Sequence, residues 1–161
     1  MAPLRADESG QLDAVDRPVA MLVPAGRQSA RVHSAAHPRF RLGSMTDLGL
    51  PDHSVAGILS WFSTIHLPPP ELDGVLAEFR RLLVPSGRLV IGFFDSDDEV
   101  AAFDHKVCTA YRWPVDEFSA RLTRAGFTER ERSRQQSPER PDRAYAAIAA
   151  TKEGDSPTAG R

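Results

Sequence analysis

Two apolar runs, Val55–Phe62 and Arg88–Phe94, flank one amphipathic segment, Pro70–Val84. In that segment Leu72, Val75, Leu76, Phe79, Leu82 and Leu83 recur every three or four residues, which is one face of a helix. The flanking runs are nearly continuous in their apolar character, as in strands buried on both faces. Strand, helix and strand in this order predict a βαβ unit and a parallel sheet. A shorter strand is predicted at Arg39–Leu42. Ligands of such sheets bind beyond the carboxyl ends of the strands. The loops Gly43–Asp47 and Trp61–Pro70 are therefore the first candidates for a site.

The helix has matching ends. Pro70 suits a first turn, and Glu71 and Asp73 favour the positive end of the helix dipole. Arg80 and Arg81 favour its negative end, and Pro85-Ser86-Gly87 turns the chain into the next strand. Val115–Ala125 predicts a second helix, with Phe118 and Leu122 inward and Gly126 at the position after the cap. Phe127–Arg134 alternates but is strongly charged, as on a sheet edge. Gln135–Arg143 reads as a loop and Ala144–Thr151 as a last strand.

The 161 residues suffice for one domain with a core. A formal charge of -2 provides no global field to recruit nucleic acid or anionic membrane. Cys108 is the only cysteine, which excludes a disulfide within the chain. Its ordinary role is that of a small buried hydrophobe. No apolar run approaches the ~20 residues of a membrane span. No apolar segment follows a basic start, so neither a membrane nor an export signal is expected, and the cytoplasm is the default location. The acids Asp95–Glu99 read as a solvated stretch rather than a metal site.

Three stretches carry a family resemblance: RFRLGSMTDL from Arg39, LPDHSVAGILSWFSTIHLPPPEL from Leu50, and LAEFRRLLVPSGRLVIGF from Leu76. Together they resemble the second half of a class I S-adenosylmethionine-dependent methyltransferase, of the small-molecule type found in actinobacteria. The implied fold is α/β: a partial Rossmann-like methyltransferase fold, with a mainly parallel sheet and a C-terminal antiparallel strand pair. The glycine-rich loop that the family places after its first strand is missing. The resemblance therefore implies an incomplete methyltransferase domain over residues 10–152, with disordered segments at 1–9 and 153–161. The implied function is methyl transfer from S-adenosylmethionine to a small-molecule acceptor. The alternative is an inactive remnant that serves as a binding or assembly module or has no function.

The resemblance also assigns residues. Asp16 would hold the cofactor ribose, though it equally suits a helix N-cap. Ser44 and Met45 would meet the adenine; the alternative is a polar turn with Met45 in the core. Ser60 and Trp61 would lie at the methionine end, with Ser63 as a second hydroxyl there. Phe62, Tyr111 and Trp113 would line the acceptor site, as would His105, unless they pack the core. His66 would be the general base, unless it is structural. Val19–Val23 reads either as the start of a helix or as a buried strand leading to Gly26 in a cofactor loop. As a strand it is expected to dock on the apolar edge of Val55–Phe62. If that edge stays bare, self-association through it is expected.

Overall fold

The structure, a computed structural model, describes residues 21–24, 44–105, 108–137 and 140–154. Within them the chain forms β1 (Met21–Pro24), β2 (Val55–Trp61), α1 (Pro69–Leu82), β3 (Leu83–Asp95), β4 (Ala101–His105) and β5 (Cys108–Trp113). Then follow α2 (Val115–Arg124), β6 (Phe127–Ser137) and β7 (Arg140–Lys152). Asp16 and the strand expected at Arg39–Leu42 lie outside the described residues.

The predicted βαβ unit is present. β2 and β3 pair in parallel, from Gly57 opposite Arg88 to Trp61 opposite Gly92, and α1 connects them. Pro69 and Pro70 occupy the first turn of α1, where a missing N–H costs nothing. Leu72, Val75, Leu76, Phe79 and Leu82 are buried along one side of the helix. α2 buries Val115, Phe118 and Leu122. Gly126 follows it with φ +80, a conformation open to glycine without strain.

The sheet is mixed rather than mainly parallel. β1 pairs antiparallel with β2, β4 with β5, β6 with β7, and β7 with β3. The expected C-terminal antiparallel pair is thus β6–β7. Parallel neighbours need a long crossover, whereas antiparallel ones need only a short turn. Short connections dominate the second half of the chain, so antiparallel pairing does too. Two strands, β4 and β5, occupy 101–105 and 108–113. β6 and β7 also extend into the stretch read as the loop Gln135–Arg143.

Strand alternation sorts the residues between two faces. Ile58 and Ser60, Leu89, Ile91 and Phe93, and Ala146, Ile148 and Ala150 are all buried. Phe93 stacks on Phe118 of α2 with ring centroids 4.1 Å apart, and Trp113 meets Phe118 edge-on at 5.6 Å. Arg121 of α2 reaches Asp73 of α1 at 2.9 Å, which binds the helices to each other. The interposed strand residues Leu59, Val90, Ala147 and Ala149 are only half-buried, and Trp61 and Tyr145 are exposed.

β1 occupies the edge of β2 where a partner was expected. Met21 lies opposite Leu59 and Leu22 opposite Ile58. Among the described residues β2 therefore has a strand on each side, and Met21–Val23 of the run expected to dock there does so.

Candidate functional site

The carboxyl ends of β2 and β3 define the crevice. Ser60 is fully buried, and its hydroxyl lies 2.6 Å from that of Ser63. Between them Phe62 has φ +52, an unusual conformation for a bulky residue, which turns the chain sharply out of the sheet. The Phe62 N–H still donates to the Gly92 carbonyl at 3.0 Å. The Phe62 ring meets Trp61 at 5.4 Å and Phe94 at 5.1 Å. Trp61 is 53% exposed and lies against Gly92, where a Cβ would fall 2.8 Å from its ring. A side chain at position 92 would therefore displace the indole.

The β4–β5 hairpin caps this end. β7 occupies one edge of β3 as far as Phe94, so the pairing of Phe94 with Arg112 of β5 uses the other edge, beyond the end of β2. Two bonds tie the hairpin to the loop after β2. The Tyr111 N–H donates to the Ile65 carbonyl at 2.7 Å, and His66 Nδ1 lies 2.9 Å from the Thr109 carbonyl oxygen. A carbonyl only accepts, so Nδ1 carries the proton of that bond. Cys108 Sγ is 3.4 Å from His66 Nδ1, and the His105 ring is 5.5 Å from that of His66. Phe94, Phe103 and His105 pack together beside them.

Three buried polar atoms on these same elements have no hydrogen-bond partner: Thr64 Oγ1 after β2, Asp95 Oδ1 at the end of β3, and Arg112 Nε on β5. Buried polar groups are nearly always satisfied, so these atoms are open to a partner such as ordered water or a polar ligand. Asp95 corrects the reading of its acidic run. It is 4% exposed, and Arg134 Nε donates to its Oδ2 at 2.6 Å, whereas Asp97, Asp98 and Glu99 are exposed. Sequence reasoning missed Thr64, Asp95 and Arg112. Only the strand-end position of Asp95 could have flagged one of them.

The other expected residues are dispersed. Ser44 is exposed, and its hydroxyl lies 2.8 Å from that of Thr46 in a turn closed by the Asp47 N–H to the Ser44 carbonyl. Met45 is buried in the core behind that turn. Glu78 of α1 anchors the following loop by accepting from the Leu48 N–H at 2.9 Å. Hydrogen bonds from Arg81 hold the Glu78 carboxyl below its ordinary range; burial opposes this, and the Leu48 N–H assists. Trp113 is 2% exposed with the Arg121 guanidinium over its ring, so it packs the core and does not line the crevice. Tyr111 is half-buried on the hairpin.

β1 enters opposite Leu59 and leaves opposite Val55. Its carboxyl end therefore lies at the end of β2 away from the crevice. Gly26 and the loop reading built on it lie outside the described residues. Among the described residues no group of three or more His, Cys, Asp or Glu is placed to hold a metal ion, and no helix is long and apolar enough to cross a membrane.

Residues 1–87 match the family described as "Methyltransferase domain", and the chain belongs to that family. No curated protein matches the sequence. Among solved structures, it is similar to the 1,6-didemethyltoxoflavin-N1-methyltransferase of Burkholderia thailandensis, crystallised with 1,6-didemethyltoxoflavin and S-adenosylhomocysteine. The TM-score is 0.61 at 24% identity, over 71% of this chain and 51% of that one. A methyltransferase of Methanosarcina mazei aligns with TM-score 0.63 at 15% identity, over 72% of this chain and 68% of that one. The cyclase SpnF aligns with TM-score 0.58 at 17% identity, over 72% and 60%. At these identities the likeness is one of fold. The chain spans about half the length of the Burkholderia protein.

Proposed function

We propose that this chain binds S-adenosylmethionine in the crevice above β2 and β3 and takes part in methyl transfer to a small-molecule acceptor. The observation that carries the reading is the buried Ser60–Ser63 pair at the sharp Phe62 turn, in a chain of the methyltransferase domain family. The unsatisfied Thr64, Asp95 and Arg112 atoms suit the polar methionine end of that cofactor, with Trp61 beside it. The exposed Ser44 turn, backed by Met45, suits its adenine. Phe62 and Tyr111 suit the acceptor. The bound S-adenosylhomocysteine of the Burkholderia protein supports the choice of cofactor.

Methyl transfer forms a bond from the acceptor O, N or C to the methyl carbon as the sulfonium C–S bond breaks. Proximity and alignment supply most of the acceleration. An acceptor that carries a proton must lose it, and His66, on the loop after β2, is the residue assigned to take it. For such an acceptor His66→Ala is expected to lower kcat by ~10²-fold. An unchanged kcat at saturating substrate would take His66 out of the chemistry.

The second reading is a catalytically inactive module that serves binding or assembly. Calorimetric titration of the full chain with S-adenosylmethionine separates the two readings. One-to-one binding is expected for the first, and a flat titration of folded protein would leave only the second.

A further inference from the structure

Strand alternation gathers aromatic rings on one face of the sheet at the carboxyl ends of β2 and β3. Phe93 stacks on α2, and its cross-strand partner Ala146 shares that helix-covered face. Ser60 faces the same way, since it pairs with Ile91. The alternate positions Trp61, Phe94 and Tyr145 therefore lie on the face away from the helices. The Phe62 ring sits among them, 5.4 Å from Trp61, 5.1 Å from Phe94 and 6.2 Å from Tyr145.

These rings meet differently from those of the core. Phe93 and Phe118 stack at 8°, each covering the other. Phe62 instead stands at 86° to Trp61 and 68° to Tyr145. Rings set edge to face leave surface open, and among the described residues Trp61 and Tyr145 are the exposed large hydrophobic side chains. Phe103, further along this face, is closed: Phe94 meets it edge-on, and the Arg112 guanidinium lies 4.4 Å from its centroid. The Trp61 indole is backed by Gly92, which has no side chain to push it away. The open surface is thus a corner of Trp61, Phe62 and Tyr145.

We propose that the methyl acceptor is a planar aromatic or heteroaromatic molecule that stacks on Trp61 in this corner. The proposal rests on the reading of the crevice as a methyl-transfer site. Flat conjugated rings gain from offset-stacked and edge-to-face contacts in addition to burial. A puckered aliphatic molecule of the same size gains burial alone. Aromatic side chains carry roughly 150–250 Å² each, so rings 53% and 36% exposed offer on the order of 200 Å². A stable protein interface takes about 800 Å² from each partner, so the corner suits a small ligand and not a second protein. It adjoins the crevice, and the chain leaving Trp61 and Phe62 carries His66, which the Thr109 carbonyl ties to the hairpin. A ring hydroxyl or ring N–H turned toward that loop presents the accepting atom.

The test is calorimetric titration of the full chain with 2-naphthol, without cofactor. Saturable one-to-one binding is expected. Decahydro-2-naphthol has the same carbon skeleton but is not flat, and should bind roughly ten-fold more weakly. Trp61→Leu keeps an apolar side chain but no ring, and should weaken 2-naphthol binding by about the same factor. Trp61→Phe should retain most of the affinity, with the urea midpoints of both variants near that of the parent. Arg130→Gln, at an exposed arginine on β6, should bind as the parent does. Absence of saturable binding at millimolar 2-naphthol would overturn the proposal. So would equal affinity for the flat and the saturated alcohol, or binding untouched by Trp61→Leu. A concentration-dependent dimer that Trp61→Leu abolishes would also overturn it and assign the face to a second copy. Failure of 2-naphthol alongside saturable S-adenosylmethionine binding removes only the acceptor class. Saturable 2-naphthol binding alongside a flat S-adenosylmethionine titration overturns the methyl-transfer reading, and the acceptor role with it.

Discussion

Phe93→Ala is expected to lower the free energy of unfolding by about 3–5 kcal/mol, as truncation of a buried aromatic does. Phe93 has no exposed surface and stacks on Phe118, which meets Trp113 edge-on, which in turn lies under the Arg121 guanidinium. That column joins β3, α2 and β5, so the cavity left by the ring would loosen all three. Typical domains are stable by about 5–15 kcal/mol, and this loss would be a large share of the total. Urea denaturation followed by circular dichroism measures it. Phe93→Leu, which keeps most of the volume, should cost far less. A loss below about 1 kcal/mol for the alanine variant would mean that the column is not part of the stabilising core.

The second large effect is expected at Glu78. Its side chain is 7% exposed and accepts from Arg81 at 2.7 and 2.8 Å and from the Leu48 N–H at 2.9 Å. Glu78→Ala removes all three bonds and leaves the Leu48 amide without its acceptor. We expect a cost of about 2–3 kcal/mol, the range for losing a buried acceptor of charge-assisted bonds. Glu78→Gln keeps an oxygen for Leu48 but loses the charge, and should cost less. The pH dependence has a definite sign. The folded-state pKa is depressed below the ordinary 4.5, so the contribution is fully present above about pH 4.5 and is lost as pH falls through the folded value. The stability gap between the parent and Glu78→Gln should therefore narrow on acidification across that window. A gap that stayed constant from pH 6 to pH 3 would mean that the carboxylate charge contributes nothing.

The βαβ unit was legible because its signals are local. The three- to four-residue period of Leu72 to Leu82 and the proline and arginine ends of α1 depend only on neighbours within a few turns. The same is true of α2 and Gly126. The β4–β5 hairpin was not legible. Its strands alternate weakly, and their pairing rests on contacts to Phe94, Ile65 and His66 that are distant along the chain.

The candidate site divides in the same way. Strand-end logic pointed to the loop from Trp61 onward, and the family resemblance added Ser60 at the strand end. Which neighbours were core and which were lining depended on packing. Trp113 and Tyr111 lie two residues apart on one strand, and Trp113 is covered by α2 whereas Tyr111 is half-buried on the hairpin. Asp95 looked like its solvated neighbours, but its position in the last register of β3 buries it beside Arg134.

Local periodicity and end signals alone determined that residues 55–94 form a strand, a helix and a parallel strand. Hydrophobic spacing decides which side of each element is apolar, and that decision needs no distant partner. Only the tertiary structure decided the direction of β1. A four-residue apolar strand can satisfy its backbone groups against β2 in either orientation, and its sequence carries no register mark that distinguishes them. It also decided that the arginines ending α1 and α2 face one cleft, because two helix ends meet only when both helices pack on the same face of the sheet.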